Sequence, residues 1–124
     1  MVVSTSTNLK PQKRPAKILR YGLYWAQLDP TRGSEIAKTR PVVVVSPEDM
    51  NHYLETVVVC PLTSQLHPRW ASRVACTCNG TPSEIAVDQI RTVSKSRLTE
   101  YIGQIEIAAA FELRRVITLL YAEA

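Results

Sequence analysis

Four consecutive valines, Val42 to Val45, follow Thr39-Arg40-Pro41. Their β-branched side chains are stiff at χ1 and favour extended backbone, and no polar residue interrupts the run. The segment 40–45 therefore reads as a strand buried on both faces or lining the interior of a barrel. Pro41 holds Arg40 extended and removes one ladder donor, so this strand is expected to begin at a sheet edge or rim. At 124 residues the chain has material for one compact domain and too little for two.

Other strands follow from similar patterns. Residues 22–28 are rich in aromatic and aliphatic side chains, and the connection 29–35 has the Pro and Gly of a loop. Ser46 is the expected cap of a short helix ending near Tyr53, with Pro47 in its first turn and Glu48 and Asp49 near its positive end. Residues 56–62 form a second valine-rich strand, expected to be broken by Pro61. Segments 70–77 and 83–93 flank Asn79-Gly80, a dipeptide suited to a tight hairpin. Ile107, Phe111, Leu113, Val116, Ile117 and Leu120 recur at helical spacing, mostly on one face, with Arg114 and Arg115 as solvated charges at its edge. The expected architecture is mainly β with α: a mostly antiparallel sheet curled into a small barrel, with one C-terminal helix.

Charge is unevenly spread. Residues 1–20 carry Lys10, Lys13, Arg14, Lys17 and Arg20 with no acid, whereas residues 21–124 hold ten Lys/Arg against eleven Asp/Glu. The first segment reads as a flexible basic arm, able to steer the protein to a polyanion or simply solvated, and the domain as residues 21–124. No stretch has the roughly 20 apolar residues that span a bilayer, and no secretory signal is visible, so a cytoplasmic protein is expected. Cys60, Cys76 and Cys78 cannot all pair within one chain, which fits free thiols.

Phosphate loops, dinucleotide-binding glycine patterns and HExxH are absent. The cysteines, with His52 and His67, lack the spacing of a zinc module, so packed thiols, loop histidines and no metal are expected. What is left for chemistry is the stretch from Asp29 to Pro41, Thr63-Ser64, and residues 88–92.

Here the segments LDPTRGSEIAKTRPVVVVSP, VVVCPLTS and VDQIRTVSKSRL resemble, in order and separation, those of the MazF/PemK toxins of type II toxin–antitoxin pairs. The similarity covers residues 20–121, and three ordered motifs are more specific than any one. The resemblance implies a small SH3-like antiparallel β-barrel closed by a C-terminal helix and working as a homodimer. It implies cleavage of single-stranded RNA at short sequences without metal or cofactor, leaving 2′,3′-cyclic phosphate or 3′-phosphate and 5′-hydroxyl ends and stopping translation and growth. A cognate antitoxin, whose tail lies across the RNA groove, and DNA binding as the antitoxin complex are also implied.

By the same resemblance Arg40 and Thr63 match the pair on which cleavage depends. Ser64, Asp88, Gln89 and Arg91 match positions near that site, and with Arg32, Ser34, Glu35 and Trp70 they form the expected substrate-binding set. Chemistry supports the pair independently: a guanidinium can stabilise charge on a five-coordinate phosphate through two parallel hydrogen bonds, and a hydroxyl can hold a phosphoryl oxygen or the attacking group. The plainer alternative pairs Arg40 with Glu35 or Asp88 and lets Thr63 merely end a strand. Some family members carry His or Arg where Ser34 and Ala86 stand here, which leaves the general base open. Trp25, mid-strand, is expected in the core, and Trp70 in a loop facing RNA. Two competing readings are a gyrase-poisoning toxin of the CcdB type and a non-catalytic SH3-like binding module.

Overall fold

A computed structural model of the chain describes residues 12–14, 16–28 and 39–123. The elements are strands β1 (Gln12–Lys13), β2 (Gly22–Gln27) and β3 (Thr39–Val44), helix α1 (Glu48–Tyr53), then strands β4 (Thr56–Thr63), β5 (Arg73–Cys78), β6 (Thr81–Ala86), β7 (Arg91–Ser94) and β8 (Leu98–Gln104), and helix α2 (Ile107–Tyr121). All strand pairings are antiparallel, in the order β1-β8-β2-β3-β4-β6-β5, with β7 also on β4.

The valine run is buried on both faces. Val42 and Val44 enter one core with Tyr24, Val57 and Val59, while Val43 and Val45 enter another with Leu62, Ile85, Leu113 and Val116. The sheet curls around the first of these cores, and α2 and the β5–β6 hairpin close over the second. Burying each valine contributes about 1.5–3 kcal/mol, so β3 is the axis on which both cores depend.

Pro61 does not break β4. Val45 N donates to Val58 O, and Val58 N to Ser46 Oγ, so the backbone groups of Val58 face β3. Alternation turns those of Pro61 to the opposite edge. There β7 stops pairing at Val59 and β6 begins at Leu62, so no ladder bond needs the missing N–H. Ser46 is likewise not the helix cap, a position that Pro47 occupies without a side-chain bond. Ser46 is buried instead, donating to Asn51 Oδ1 and tying α1 to β4.

Asn79 and Gly80 both take the left-handed conformation (φ 52° and 81°), as a two-residue type I′ hairpin requires. The expected fifth strand, 83–93, is really two strands, β6 and β7, separated by a 3-10 turn at Val87–Gln89. Strand β8, which completes the sheet beside β2, has no strict alternation in its sequence and was not anticipated. Helix α2 docks through Ala109, Ala110, Leu113 and Val116, whereas Ile107, Phe111 and Leu120, expected on that face, are exposed. Small Ala side chains let the helix approach the sheet closely, which turns the bulkier residues outward.

The described residues before Tyr21 also depart from expectation. Rather than trailing as an arm, β1 pairs with β8 and Ile18 is buried in the core that holds Val42 and Val44. Ile18 O accepts from Asn51 Nδ2, Arg20 Nε donates to Val45 O, and Arg14 Nε donates to Leu98 O. A Cβ on Gly22 would stand 2.8 Å from Tyr24 Cε1, so only glycine lets this segment turn into β2. Ile18→Ala should therefore lower unfolding stability by about 2–5 kcal/mol, read as a fall in the urea midpoint with an unchanged slope. A midpoint equal to that of the parent would show that the segment is dispensable.

Candidate active site

The β3–β4 ladder runs from Val44 to Val42, and beyond it β3 pairs only with β2, through Pro41, Arg40 and Thr39. Extending the register Val42↔Pro61 by two residues sets Arg40 across from Thr63. Pro41 is at the divergence, where its missing donor costs the β3–β4 ladder nothing, as expected of a rim. The two strands part there, and a cleft of about 280 Å³ opens between them.

Trp25, Arg40, Pro41, Leu62, Thr63 and Ser64 line one side of this cleft. The β5–β6 hairpin supplies the other through Cys78, Asn79, Thr81 and Ser83. Thr63 is buried, and its Oγ1 accepts from Gln65 N at 3.1 Å, which fixes the oxygen and leaves its hydrogen for a ligand. Ser64 beside it is exposed. Arg40, half-buried, is the one charged residue in this lining among the described residues. A cleft with one cation, several hydroxyls and an indole can hold an anion and an adjoining ring.

The structure thus brings Arg40, Thr63 and Ser64 to one place, and others of the expected set elsewhere. Trp70 is exposed in the β4–β5 connection, outside the cleft lining, with its ring stacked on His67 at 3.8 Å. Asp88 and Gln89 belong to the 3-10 turn, also outside the lining, and Arg91 Nη1 reaches Leu28 O at 3.5 Å. Arg32, Ser34 and Glu35 lie outside the described residues. Trp25, expected in the core, is only half-buried and lines the cleft. The hairpin wall was missed: Asn79-Gly80 announces a turn, but no local signal says that the turn folds back beside Thr63.

All three thiols are buried. Burial pushes Cys60 and Cys76 up to about 12 and Cys78 to about 11, with Asp88 adding to the effect on Cys60 and Glu106 to that on the other two. Among the described residues no three His, Cys, Asp or Glu stand together as a metal site, and no helix is long and apolar enough to cross a membrane.

The curled antiparallel half-barrel with its C-terminal helix has counterparts among proteins of known structure. Residues 19–121 match the family described as PemK-like, MazF-like toxin of type II toxin–antitoxin system. Endoribonuclease MazF6 of Mycobacterium tuberculosis is 33% identical over 117 residues, covering 82% of this chain and 98% of its own. The crystal structure of MazF from Deinococcus radiodurans superposes with a TM-score of 0.77 at 22% identity, covering 88% of this chain and all of the other. A mycobacterial endoribonuclease solved in complex with its cognate antitoxin gives 0.68 at 21%, covering 85% and 93%. At these identities the two structures speak for the fold alone. The chain belongs to the PemK/MazF family, and it is a MazF-type toxin–antitoxin endoribonuclease.

The thiols give a pH test. Their folded pKa values lie above the ordinary 9.0, so the stability they lend is complete below about pH 9 and falls as pH rises toward 12. Substituting Val for Cys60 and Cys76 should flatten the decline of the urea midpoint above pH 9. A decline as steep as that of the parent would show that these thiols titrate freely in the folded protein.

Proposed function

We propose that this chain cleaves single-stranded RNA by attack of the RNA's own 2′-hydroxyl, without a metal, and that Arg40 and Thr63 carry the step. The observation that carries the proposal is the convergence of these two residues, from strands whose pairing has just ended, on one cleft. In the reaction the 2′-oxygen bonds to phosphorus and the P–O5′ bond breaks. The 2′-proton is taken up as attack begins, and a proton is delivered to the leaving 5′-oxygen. The products are a 2′,3′-cyclic phosphate, open to later hydrolysis to a 3′-phosphate, and a 5′-hydroxyl. Charge grows on the phosphoryl oxygens as the fifth bond forms, where a fixed guanidinium stabilises it most. Thr63 places a phosphoryl oxygen or the nucleophile in line, which is positioning rather than proton transfer. A guanidinium and an alcohol are not bases at neutral pH, so the proton is accepted by another group.

Trp25 and Ser64 supply ring and hydroxyl contacts inside the cleft. Trp70, Asp88, Gln89 and Arg91 extend or brace the RNA path beyond it, and Arg32, Ser34 and Glu35 complete the substrate-binding set. The basic segment 1–20 adds sequence-independent attraction for phosphates, through charges not already held against the sheet. The protein acts in the cytoplasm, where the translated RNA is. Its partners are a cognate antitoxin, as in the mycobacterial complex, and a second copy of itself. The outward face of α2, with Ile107, Phe111 and Leu119 each more than half exposed, supports a self-complementary dimer. Light scattering at micromolar concentration should give a dimer mass, and a monomer would remove this part of the reading.

On a long RNA in EDTA, cleavage should persist and leave 5′-hydroxyl ends on the downstream fragments. Arg40→Ala should reduce the cleavage rate by about 100-fold or more while RNA affinity falls far less, because the charge it stabilises develops in the transition state. Strict dependence on added magnesium would overturn the mechanism. An Arg40→Ala protein that folds and cuts at the parent rate would remove Arg40 from it.

A further inference from the structure

One buried ion pair is not used by the chemistry above. Glu84, 3% exposed, lies directly across from Thr63 in the β4–β6 pairing. Its Oε1 accepts from Arg73 Nη1 at 2.8 Å and from His67 N at 2.8 Å. The same Arg73 Nη1 donates to Gln65 O at 2.9 Å, and the guanidinium carbon lies 4.8 Å from the centre of the Trp70 ring. Gln65 N in turn holds Thr63 Oγ1. The connection that leaves the cleft at Thr63 is thereby fastened at Gln65, His67 and Trp70 to two charged side chains on β5 and β6.

A pair of this kind is a poor device for stability. Two charges taken out of water are offset by their attraction only when every polar atom is satisfied, and Arg73 Nε is buried without a partner. Apolar residues of similar size would pack at least as well. What they could not do is bond the backbone of the connection at Gln65 and His67. We infer that Arg73 and Glu84 are positioning residues for the cleavage site, holding the connection 64–72 so that Thr63 and Ser64 keep their place opposite Arg40.

The inference rests on the cleavage reading, and its test has one arm independent of that reading. The variants are Arg73→Met with Glu84→Leu, which removes both charges together, and Arg73→Lys, which keeps the ion pair. In a Trp25→Phe background Trp70 is the single tryptophan, so its anisotropy and acrylamide quenching report on the connection without reference to RNA. The double variant should unfold at the parent's temperature or above, while its Trp70 becomes more mobile and more readily quenched. With Trp25 restored, its kcat on RNA should fall on the order of 10- to 100-fold while KM changes much less, as expected of a misplaced group beside one loosened contact to RNA. Arg73→Lys should recover most of both properties. Unchanged Trp70 anisotropy in the double variant overturns the inference whether or not the parent cuts RNA. So does a parent-like kcat, a lysine variant as impaired as the double variant, or a double variant that fails to fold. Loosened Trp70 in a protein whose parent cuts no RNA would count against the cleavage reading and not against the anchoring.

Discussion

Along Val42 to Val44 strand β3 has no solvent face, and most of the architecture follows from covering this run twice. Val42 and Val44 need a closed surface on one side, which the curl of β2, β4, β7 and β8 provides together with Ile18. Val43 and Val45 need another on the opposite side, which comes from α2 and the β5–β6 hairpin. Neither cover is supplied by neighbours in sequence alone. The residues before β2 must turn back onto the core that holds Val42 and Val44, and the C-terminal helix must pack against β5 and the 3-10 turn to close the other. A valine run buried on both faces therefore ties the segment around Ile18 and the C-terminal helix into one cooperative unit.

The cleft arises where that constraint ends. Both cores are filled along Val42 to Val45, but at Pro41 the ladder to β4 stops, and on the facing strand Thr63 is the last residue. Each candidate residue thus sits one or two positions beyond a packed run, on rigid strands rather than in a loop. Such placement fixes a side chain within the small tolerances that charge stabilisation requires, yet leaves it on the lining of the cleft. The prolines contribute by what they lack: Pro41 has no donor at the divergence, and Pro61 has none where β4 changes partners.

What could be read from the sequence was what depends on local pattern. Valine runs gave β3 and β4, Asn79-Gly80 gave the hairpin, and helical spacing gave α2. Strand β8 was hidden because Leu98–Gln104 mixes polar and apolar residues and holds Gly103, a residue rare in strand interiors, near its end. The docked face of α2 was misjudged because alanines, weak in any hydrophobic pattern, make the close contact. At the site, Arg40 and Thr63 stood out through the three ordered motifs. Trp25 and the hairpin wall did not, because only tertiary folding brings Cys78 to Ser83 beside β4. The Arg73–Glu84 pair was equally invisible: the two charges, eleven positions apart, look solvated, and nothing local says that the connection 64–72 folds over them.

The position of Glu84 raises an electrostatic difficulty that its partner answers. A buried carboxylate across from Thr63 would oppose an anion entering the cleft, because a buried charge is screened less than one in water. Arg73, at 2.8 Å, cancels that charge locally. Glu84 itself stands outside the described lining of the cleft, in which Arg40 is the charged residue. The pair on β5 and β6 therefore acts at short range, through its hydrogen bonds to the connection. Removing the cation at Arg73 alone would disturb geometry and charge at once, by loosening the connection and by leaving Glu84 without its partner, whereas removing both members would disturb the geometry alone.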